Sequence, residues 1–149
     1  MTDPRRLRCM RAAAPALVLS LGLAAQAQAP PQEARKPTIS LRVTPPMGFS
    51  PLRVRTSVDI RDGSDDFADF YCPTIEWDWG DGTMSEHSGD CNPYEAGKST
   101  IQRRFSAEHI YRVGGSYRVA FRMKQKSKVV GGATASVQVR AGAGEGFGR

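Results

Sequence analysis

Hydrophobic and polar residues alternate with a period of two in several short segments of the chain. In residues 54–60 the even positions are Val, Thr, Val and Ile, and the odd positions are Arg, Ser and Asp. Five further segments are residues 39–43, 75–79, 101–105, 117–123 and 133–139, of which 101–105 is the weakest because Arg103 would share its inner face. Such alternation is typical of half-buried strands, and no segment after residue 29 has helical periodicity.

Turn residues separate these segments, since the 149 residues include 15 Gly and 10 Pro. Six or seven short strands joined by turns rich in Gly, Pro and Asp predict an all-β fold, an antiparallel sandwich of about seven strands. The length and the 40% apolar content fit one globular domain. Residues 30–37 are Pro-rich and charged and predict a flexible tether, and the Gly-rich residues 141–149 predict a disordered tail.

The first 29 residues have the features of an export signal. Arginines 5, 6, 8 and 11 precede an uncharged run, Ala12 to Ala25, and two small-x-small cleavage patterns end at Ala27 and Ala29. A membrane span needs about 20 apolar residues, so this run predicts a signal peptide at 1–29, with an uncleaved anchor as the alternative. We expect an exported protein, periplasmic or extracellular, with no stable membrane insertion after cleavage.

The formal net charge is +6, but residues 1–29 carry +3 of it. The remaining +3 weakens any argument for a nucleic-acid partner, and we predict none. Residues 59–97 hold eleven acidic and one basic side chain, whereas residues 98–149 hold eleven basic and two acidic ones. This segregation predicts either two faces of opposite sign or acidic loops that lie against basic strands.

Two cysteines, Cys72 and Cys91, remain once Cys9 leaves with the signal. In an oxidising compartment an even pair predicts a disulfide, which here would close a loop of about 20 residues. Metal binding is the alternative, but two thiols with only His87 nearby do not complete a four-ligand zinc site.

The most specific motif is Trp77-Asp78-Trp79-Gly80-Asp81-Gly82-Thr83, followed by His109-Ile110-Tyr111 and then Gly114-Gly115-Ser116-Tyr117-Arg118-Val119. In this order the three parts resemble the PKD domain, an immunoglobulin-like β-sandwich common in surface and secreted proteins. The match covers roughly residues 38–140 and implies a PKD-like domain there. Residues 61–73 and 84–99 are longer than in a minimal PKD domain, and a Cys72–Cys91 disulfide would tie them together.

Structural roles explain these motif residues. Trp77 and Trp79 share one strand face and are expected to fill the core, while Asp78 points to the other face. Asp81 is expected to accept backbone hydrogen bonds in a tight turn made by its flanking glycines. Tyr111 has the position of a tyrosine-corner residue, and His109 is expected to be a structural hydrogen-bonding residue. The structural set is Trp77, Asp78, Trp79, Gly80, Asp81, Gly82, Thr83, His109, Tyr111, Gly115, Tyr117 and Val119.

An acidic loop is a candidate calcium site, because calcium prefers several carboxylate oxygens in a flexible loop. The candidate ligands are Asp62, Asp65, Asp66 and Asp69, with Asp59, Asp90 and Glu95 nearby in the sequence or through the disulfide. Their spacing is not that of an EF-hand, so a solvated acidic loop is the alternative and no cofactor is predicted outright.

Two further sets are candidate ligand contacts. The aromatic set is Phe67, Phe70, Tyr71 and Tyr94, and the basic set is Lys124 and Lys126, accompanied by Arg118, Arg122 and Lys128. Aromatic side chains could stack on sugars or anchor a protein, with packing around the disulfide as the alternative. The basic stripe could bind an acidic polymer, with a solvated strand face as the alternative.

Catalytic signatures such as HExxH, GxSxG and the P-loop do not occur. Ser85, His87 and Asp90 could form a hydrolytic site, but any loop of this composition would allow that. We therefore predict that the protein is not an enzyme. The predicted function is a non-catalytic binding module for an envelope protein or a polysaccharide, at the cell envelope or outside the cell. The alternatives are a structural envelope or assembly module and, remotely, a small secreted hydrolase.

Overall fold

The computed structural model describes residues 35–142. The predicted signal peptide at 1–29, Cys9, residues 30–34 of the predicted tether and residues 143–149 of the predicted tail lie outside the described residues. Within them, eight strands form two sheets. No helix in residues 35–142 has the length and apolar character needed to cross a membrane.

The first sheet has three antiparallel strands in the order β1-β3-β6. Its strands are β1 (Thr38–Thr44), β3 (Leu52–Arg61) and β6 (Arg104–Tyr111). The second sheet has five strands in the order β2-β8-β7-β4-β5. Its strands are β2 (Met47–Phe49), β4 (Thr74–Asp78), β5 (Met84–His87), β7 (Gly115–Gln125) and β8 (Lys128–Arg140). The all-β fold of two sheets is confirmed. It has eight strands rather than about seven in the described residues, and it is not wholly antiparallel, because β2 pairs with β8 in parallel.

The core lies between the inner faces of the two sheets. Every second residue of β3 from Leu52 to Ile60 is buried, as the period-two pattern predicted. The second sheet contributes Trp77, Phe121 and Met123, which are 4%, 1% and 0% exposed. Burial of these large side chains is the main favourable contribution to stability.

Two strand predictions differ from the structure. Residues 101–105 were predicted as a strand, but β6 begins only at Arg104 and continues to Tyr111. The Arg103 carbonyl still accepts from Ile60 N of β3 at 2.8 Å, but its side chain bonds to the preceding acidic loop. The strands β2 and β5 were not predicted. β2 has only three residues directly after two prolines, and the four residues of β5, MSEH, are all exposed and show no alternation.

The unequal size of the two sheets leaves one side of the sandwich open. β5 lies at the edge of the five-stranded sheet and pairs only with β4, and β6 lies at the edge of the three-stranded sheet and pairs only with β3. Ser85 and His87 stand opposite Trp77 and Ile75, so they occupy inner-face positions of β5. Both are exposed, which shows that the first sheet does not cover this part of the second.

Candidate functional site

A groove runs between the edge strands β5 and β6, and we call it the edge groove. Its volume is about 370 Å³. The apolar lining comes from Ile75, Trp77, Phe105 and Ala107, and the polar lining from Ser85, Glu86, His87, Gln102, Arg104 and Ser106. An apolar groove with polar groups along its margins is the usual form of a binding site.

The edge groove continues toward the disulfide. A second cavity of about 120 Å³ is lined by Cys72 and Cys91 and also by Ile75, His87 and Phe105 from the groove. The two cavities therefore form one depression, with the disulfide at one end. His87 lines both, and no hydrogen bond holds its side chain among the described residues.

The free edge of β6 exposes backbone hydrogen-bonding groups to the groove. The Arg103 carbonyl accepts a hydrogen bond from Ile60 N at 2.8 Å, and the Ala107 carbonyl accepts one from Thr56 Oγ1 at 3.0 Å. The backbone groups of the odd-numbered residues of β6 therefore face β3. Because successive backbone groups of a strand point to opposite sides, Ser106 and Glu108 present theirs to the free edge. Gln102 Nε2 donates to the Arg104 carbonyl at 2.9 Å, which already occupies one acceptor at the start of this edge.

The disulfide predicted between Cys72 and Cys91 is present, with a Cα–Cα distance of 6.2 Å. It joins the two long connections that flank β4 and β5, and further bonds hold them together. Tyr94 donates to the Asp66 carbonyl at 2.6 Å, and Tyr71 donates to the Asn92 carbonyl at 3.0 Å. Disulfides are typical of exported proteins, so this bond agrees with the expected compartment.

The four aromatic residues that were candidate ligand contacts pack mainly against other residues of the protein. Phe70 is fully buried and its ring belongs to the core, which favours the packing alternative over a ligand contact. Phe67 packs edge-on against Phe70 with ring centroids 5.2 Å apart. Tyr71 and Tyr94 contact each other at 5.5 Å, and both hydroxyls bond to backbone carbonyls. Tyr94 alone of the four is exposed, at 39%.

The predicted acidic calcium ligands are not brought together. Arg103 Nη2 and Nε lie 2.6 and 2.8 Å from one oxygen of Asp65, and Arg103 Nη1 also donates to the Asp62 carbonyl. A guanidinium therefore stands where a cation would be expected. Asp66 and Asp69 lie in the same loop, but no three Asp, Glu, His or Cys side chains among the described residues could hold a metal ion.

The motif residues surround one hydrogen-bonded turn. Asp81 Oδ1 accepts from Thr83 N at 3.0 Å and from Thr83 Oγ1 at 2.6 Å, and its other oxygen lies 2.7 Å from His109 Nε2. Burial alone would raise the pKa of Asp81, but the hydrogen bonds from Thr83 and His109 outweigh it and lower that pKa. Gly80 has a φ of +75°, and a Cβ there would lie 2.6 Å from the Arg118 carbonyl oxygen. The position therefore requires glycine.

The aromatic residues of the motif form a stack in the core. Trp79 lies parallel to Trp77 at 5.7 Å and to His109 at 4.6 Å, and Tyr111 lies on Tyr117 at 4.3 Å. The Tyr111 hydroxyl donates to the Trp79 carbonyl at 2.8 Å. It thus satisfies a backbone group as expected, here in the turn that follows β4 of the second sheet. Burial raises the pKa of Tyr111, so this donor stays protonated.

The remaining motif residues also have structural contacts. Asp78 points away from the core, where its carboxylate accepts from Gly80 N at 3.1 Å and from Arg122 at 3.3 Å. Gly115 begins β7, Val119 is fully buried, and the Tyr117 hydroxyl donates to the Val113 carbonyl at 2.8 Å. Gly82 has a φ of +88° in the turn.

The basic stripe on β7 is paired with acidic residues of β4. Glu76 is only 6% exposed, and its two oxygens accept from Arg122, at 2.7 Å, and from Lys124. Lys126 lies beyond β7 in the turn to β8. Lys124 is therefore occupied within the sheet, and this part of the charge segregation places an acidic strand against a basic one.

The Glu76 ion pairs predict a pH-dependent stability. Hydrogen bonds from Lys124 and Arg122 lower the pKa of Glu76 below its usual 4.5. A lowered pKa means that the folded state favours the carboxylate, so its contribution is complete above pH 4.5 and is lost as the pH falls below that value. Glu76→Gln should reduce the free energy of unfolding at pH 7 by about 1–2 kcal/mol and flatten its fall toward pH 3.

Urea denaturation at several pH values measures this effect, and Glu86→Gln is the matched control. Glu86 lies beside Glu76 across the strand pair but is 60% exposed. Its replacement should leave the pH profile close to that of the unmodified protein. Equal profiles for the unmodified protein and Glu76→Gln would show that the buried carboxylate does not contribute.

Ser85, His87 and Asp90 do not form the hydrogen-bonded set that a hydrolytic site needs. Ser85 Oγ accepts a hydrogen bond from Trp79 Nε1 at 3.0 Å. In the described residues no hydrogen bond connects Ser85, His87 and Asp90, and the other histidine is held by Asp81 and the Trp79 ring. A nucleophile bonded to a base is the minimum for such chemistry, and this geometry does not provide it.

The free edge of β6 was not predicted from the sequence. Residues 104–111 have the sequence RFSAEHIY, in which the polar residues at 104, 106 and 108 alternate with Phe105 and Ala107. A period-two signal for β6 is therefore present in the sequence. The short β5 has no comparable signal, because both of its faces are exposed.

Comparison with known proteins found no matching family model and no matching curated protein. Among solved structures, the chain is similar to the PKD domain of an M14-like peptidase from Thermoplasmatales archaeon SCGC AB-540-F20. The similarity has a TM-score of 0.47 and 15% sequence identity, and it covers 71% of this chain and 97% of that domain. That domain is named as a PKD domain, the family that the Trp77–Thr83 motif and the two motifs after it resemble.

Proposed function

We propose that this protein is an exported, non-catalytic binding module that holds an extended polypeptide segment in the edge groove. The observation that carries the proposal is the open side of the sandwich, where β6 has a free edge and the second sheet extends past it. A bound segment would pair with β6 as a fourth strand of the first sheet. It would also cover the inner face that β5 leaves exposed.

Strand addition is a common mode of peptide recognition, because backbone hydrogen bonds give affinity and alternate side chains enter pockets. Here the backbone groups of Ser106 and Glu108 would pair with the segment. Side chains on its inner face would contact Trp77 and Phe105, and those near His87 would reach the cavity at the disulfide. A segment paired with β6 would lie about 4.8 Å from that strand, on the side where the groove opens.

A display library of linear peptides, selected on the oxidised protein, tests the proposal. His87→Trp places a bulky side chain in the groove without removing a hydrogen bond seen among the described residues, and selected peptides should bind it at least about tenfold more weakly. Thr134→Trp is the matched control, because Thr134 is an exposed residue of β8 on the outer face of the second sheet. Binding to it should be unchanged.

Ser106→Pro separates strand addition from simple filling of the groove. Proline removes the Ser106 N–H, which faces the free edge and makes no bond to β3, so proline is compatible with this position. Peptide binding should fall while the fold is retained. Peptides that bind both the His87→Trp and Ser106→Pro variants as tightly as the unmodified protein would refute the groove as the binding site.

Self-assembly is a second candidate, supported by the exposed apolar residues on β2. Met47 and Phe49 are 57% and 64% exposed on this edge strand. Exposed edges of this kind can pair with a second copy of the chain. Light scattering would then give a mass above that of one chain, and Phe49→Lys would return it to one chain.

A further inference from the structure

The outer face of the first sheet carries a second surface, which meets the edge groove at Arg104 and Ser106. The strand registers place its outward residues in adjacent rows. Five of them are arginines, which we call the arginine face: Arg42 on β1, Arg53, Arg55 and Arg61 on β3, and Arg104 on β6. All five are exposed.

In the described strands only two carboxylates share this face, and each lies between two arginines. Glu108 is 3.3 Å from Arg53 and 2.7 Å from Arg55, and Asp59 is 3.9 Å from Arg61 and 3.7 Å from Arg104. Each carboxylate therefore neutralises one of its two neighbours, and Arg42 has no acidic partner among the described residues. The face keeps a charge of +3.

This charge is concentrated on one side of the molecule. Residues 35–142 hold sixteen basic and twelve acidic side chains, a net charge of +4, so the arginine face accounts for most of it. On the second sheet, by contrast, Arg122 and Lys124 face two carboxylates, those of Glu76 and Asp78. The central rows of that sheet therefore balance.

We propose that the arginine face binds a polyanionic polysaccharide, one that carries carboxylate or sulfate groups. Guanidinium groups bind both anions through paired N–H donors, and the face contains arginine but no lysine. Hydroxyl side chains stand between the arginines: Thr38, Ser40, Thr44, Ser57 and Ser106. They offer hydrogen bonds to sugar hydroxyls along a path of about 27 Å, the length of eight residues of β3.

The same features argue against other anionic partners. The face has no aromatic side chain on which a base could stack, which disfavours single-stranded nucleic acid. It is a sheet surface and offers no helix for the major groove of duplex DNA. Ile110 is its one apolar outward residue in the described strands, so it has little to insert into a lipid surface.

A pair of variants with equal charge loss tests the surface. Arg42→Gln, Arg55→Gln and Arg61→Gln together remove three charges from the face and leave the edge groove untouched. Arg118→Gln, Lys126→Gln and Lys128→Gln together remove three exposed charges from the second sheet and its hairpin turn. Binding to immobilised alginate and heparin is measured at low and at physiological salt, with neutral dextran as the uncharged probe.

The first variant should bind alginate or heparin about tenfold more weakly or worse, while the second should change by about twofold or less. Glu108→Gln should strengthen binding because it releases Arg53 and Arg55. Glu95→Gln, an equal change of charge that releases Lys98 in the connection between β5 and β6, should not. Binding should also weaken with salt, since the charges are exposed.

Three results would overturn the proposal. The unmodified protein could fail to bind either polyanion at low salt. Both triple variants could lose equal affinity, which would reduce the effect to net charge. Duplex DNA or phosphatidylglycerol vesicles could bind more tightly than either polysaccharide and depend on the same three arginines, which would assign the face to a different class of partner. None of these results bears on peptide binding to the edge groove.

Discussion

Trp77→Ala is expected to lower the free energy of unfolding by about 3–5 kcal/mol, the usual cost of truncating a large aromatic side chain in a core. Trp77 is 4% exposed and lies 4.9 Å from the Phe121 ring and 5.7 Å from the Trp79 ring. Its removal leaves a cavity between the two sheets, and the aromatic stack cannot collapse without moving Trp79. Urea denaturation, followed by far-ultraviolet circular dichroism, measures the loss.

Phe49→Ala provides the control for a large aromatic residue outside the core. Phe49 is 64% exposed, so its truncation should change the free energy of unfolding by less than about 0.5 kcal/mol. A loss below about 1 kcal/mol for Trp77→Ala, or an equal loss for both variants, would show that the core is misplaced.

Removal of the disulfide is expected to cost about 3 kcal/mol, by the loop-entropy estimate for a closed loop of this length. Cys72→Ser combined with Cys91→Ser frees two long connections whose other links are few, chiefly the hydrogen bonds of Tyr71 and Tyr94. Since the buried residues of β3 and β7 do not depend on these connections, the double variant should still fold.

Thermal or urea denaturation of the double variant gives the size of the effect. Dithiothreitol should destabilise the unmodified protein by a similar amount and leave the double variant unchanged, which separates the disulfide from other effects of the reductant. A double variant as stable as the oxidised protein would show that the connections are held by their noncovalent contacts alone.

The sandwich could be predicted because its central strands bury one face each. The alternation in β3 and β7, and the spacing of Trp77 and Trp79, are direct consequences of that burial. The strands at the open side gave a weaker signal. β5 buries neither face, and the inner positions of β6 include Ala107 and His109, which are not strongly apolar.

The candidate site was harder to predict than the fold because it depends on long-range pairing. For Phe70 the sequence left ligand contact and packing open, and only the structure shows that the loop turns its ring into the core. Arg103 was expected on a strand, yet it bonds to Asp65, 38 residues earlier in the chain. The free edge of β6 and the arginine face follow from strand order and register, which alternation alone does not specify.

Amide hydrogen exchange of the oxidised protein, with and without a selected peptide, tests strand addition at β6 most directly. The amides of Phe105 and Ala107 face β3 and should be protected in both states. Those of Ser106 and Glu108 face the free edge, so they should exchange rapidly in the free protein and become protected when the peptide binds. Unchanged exchange at Ser106 and Glu108 under saturating peptide, with new protection elsewhere, would contradict the proposed binding mode.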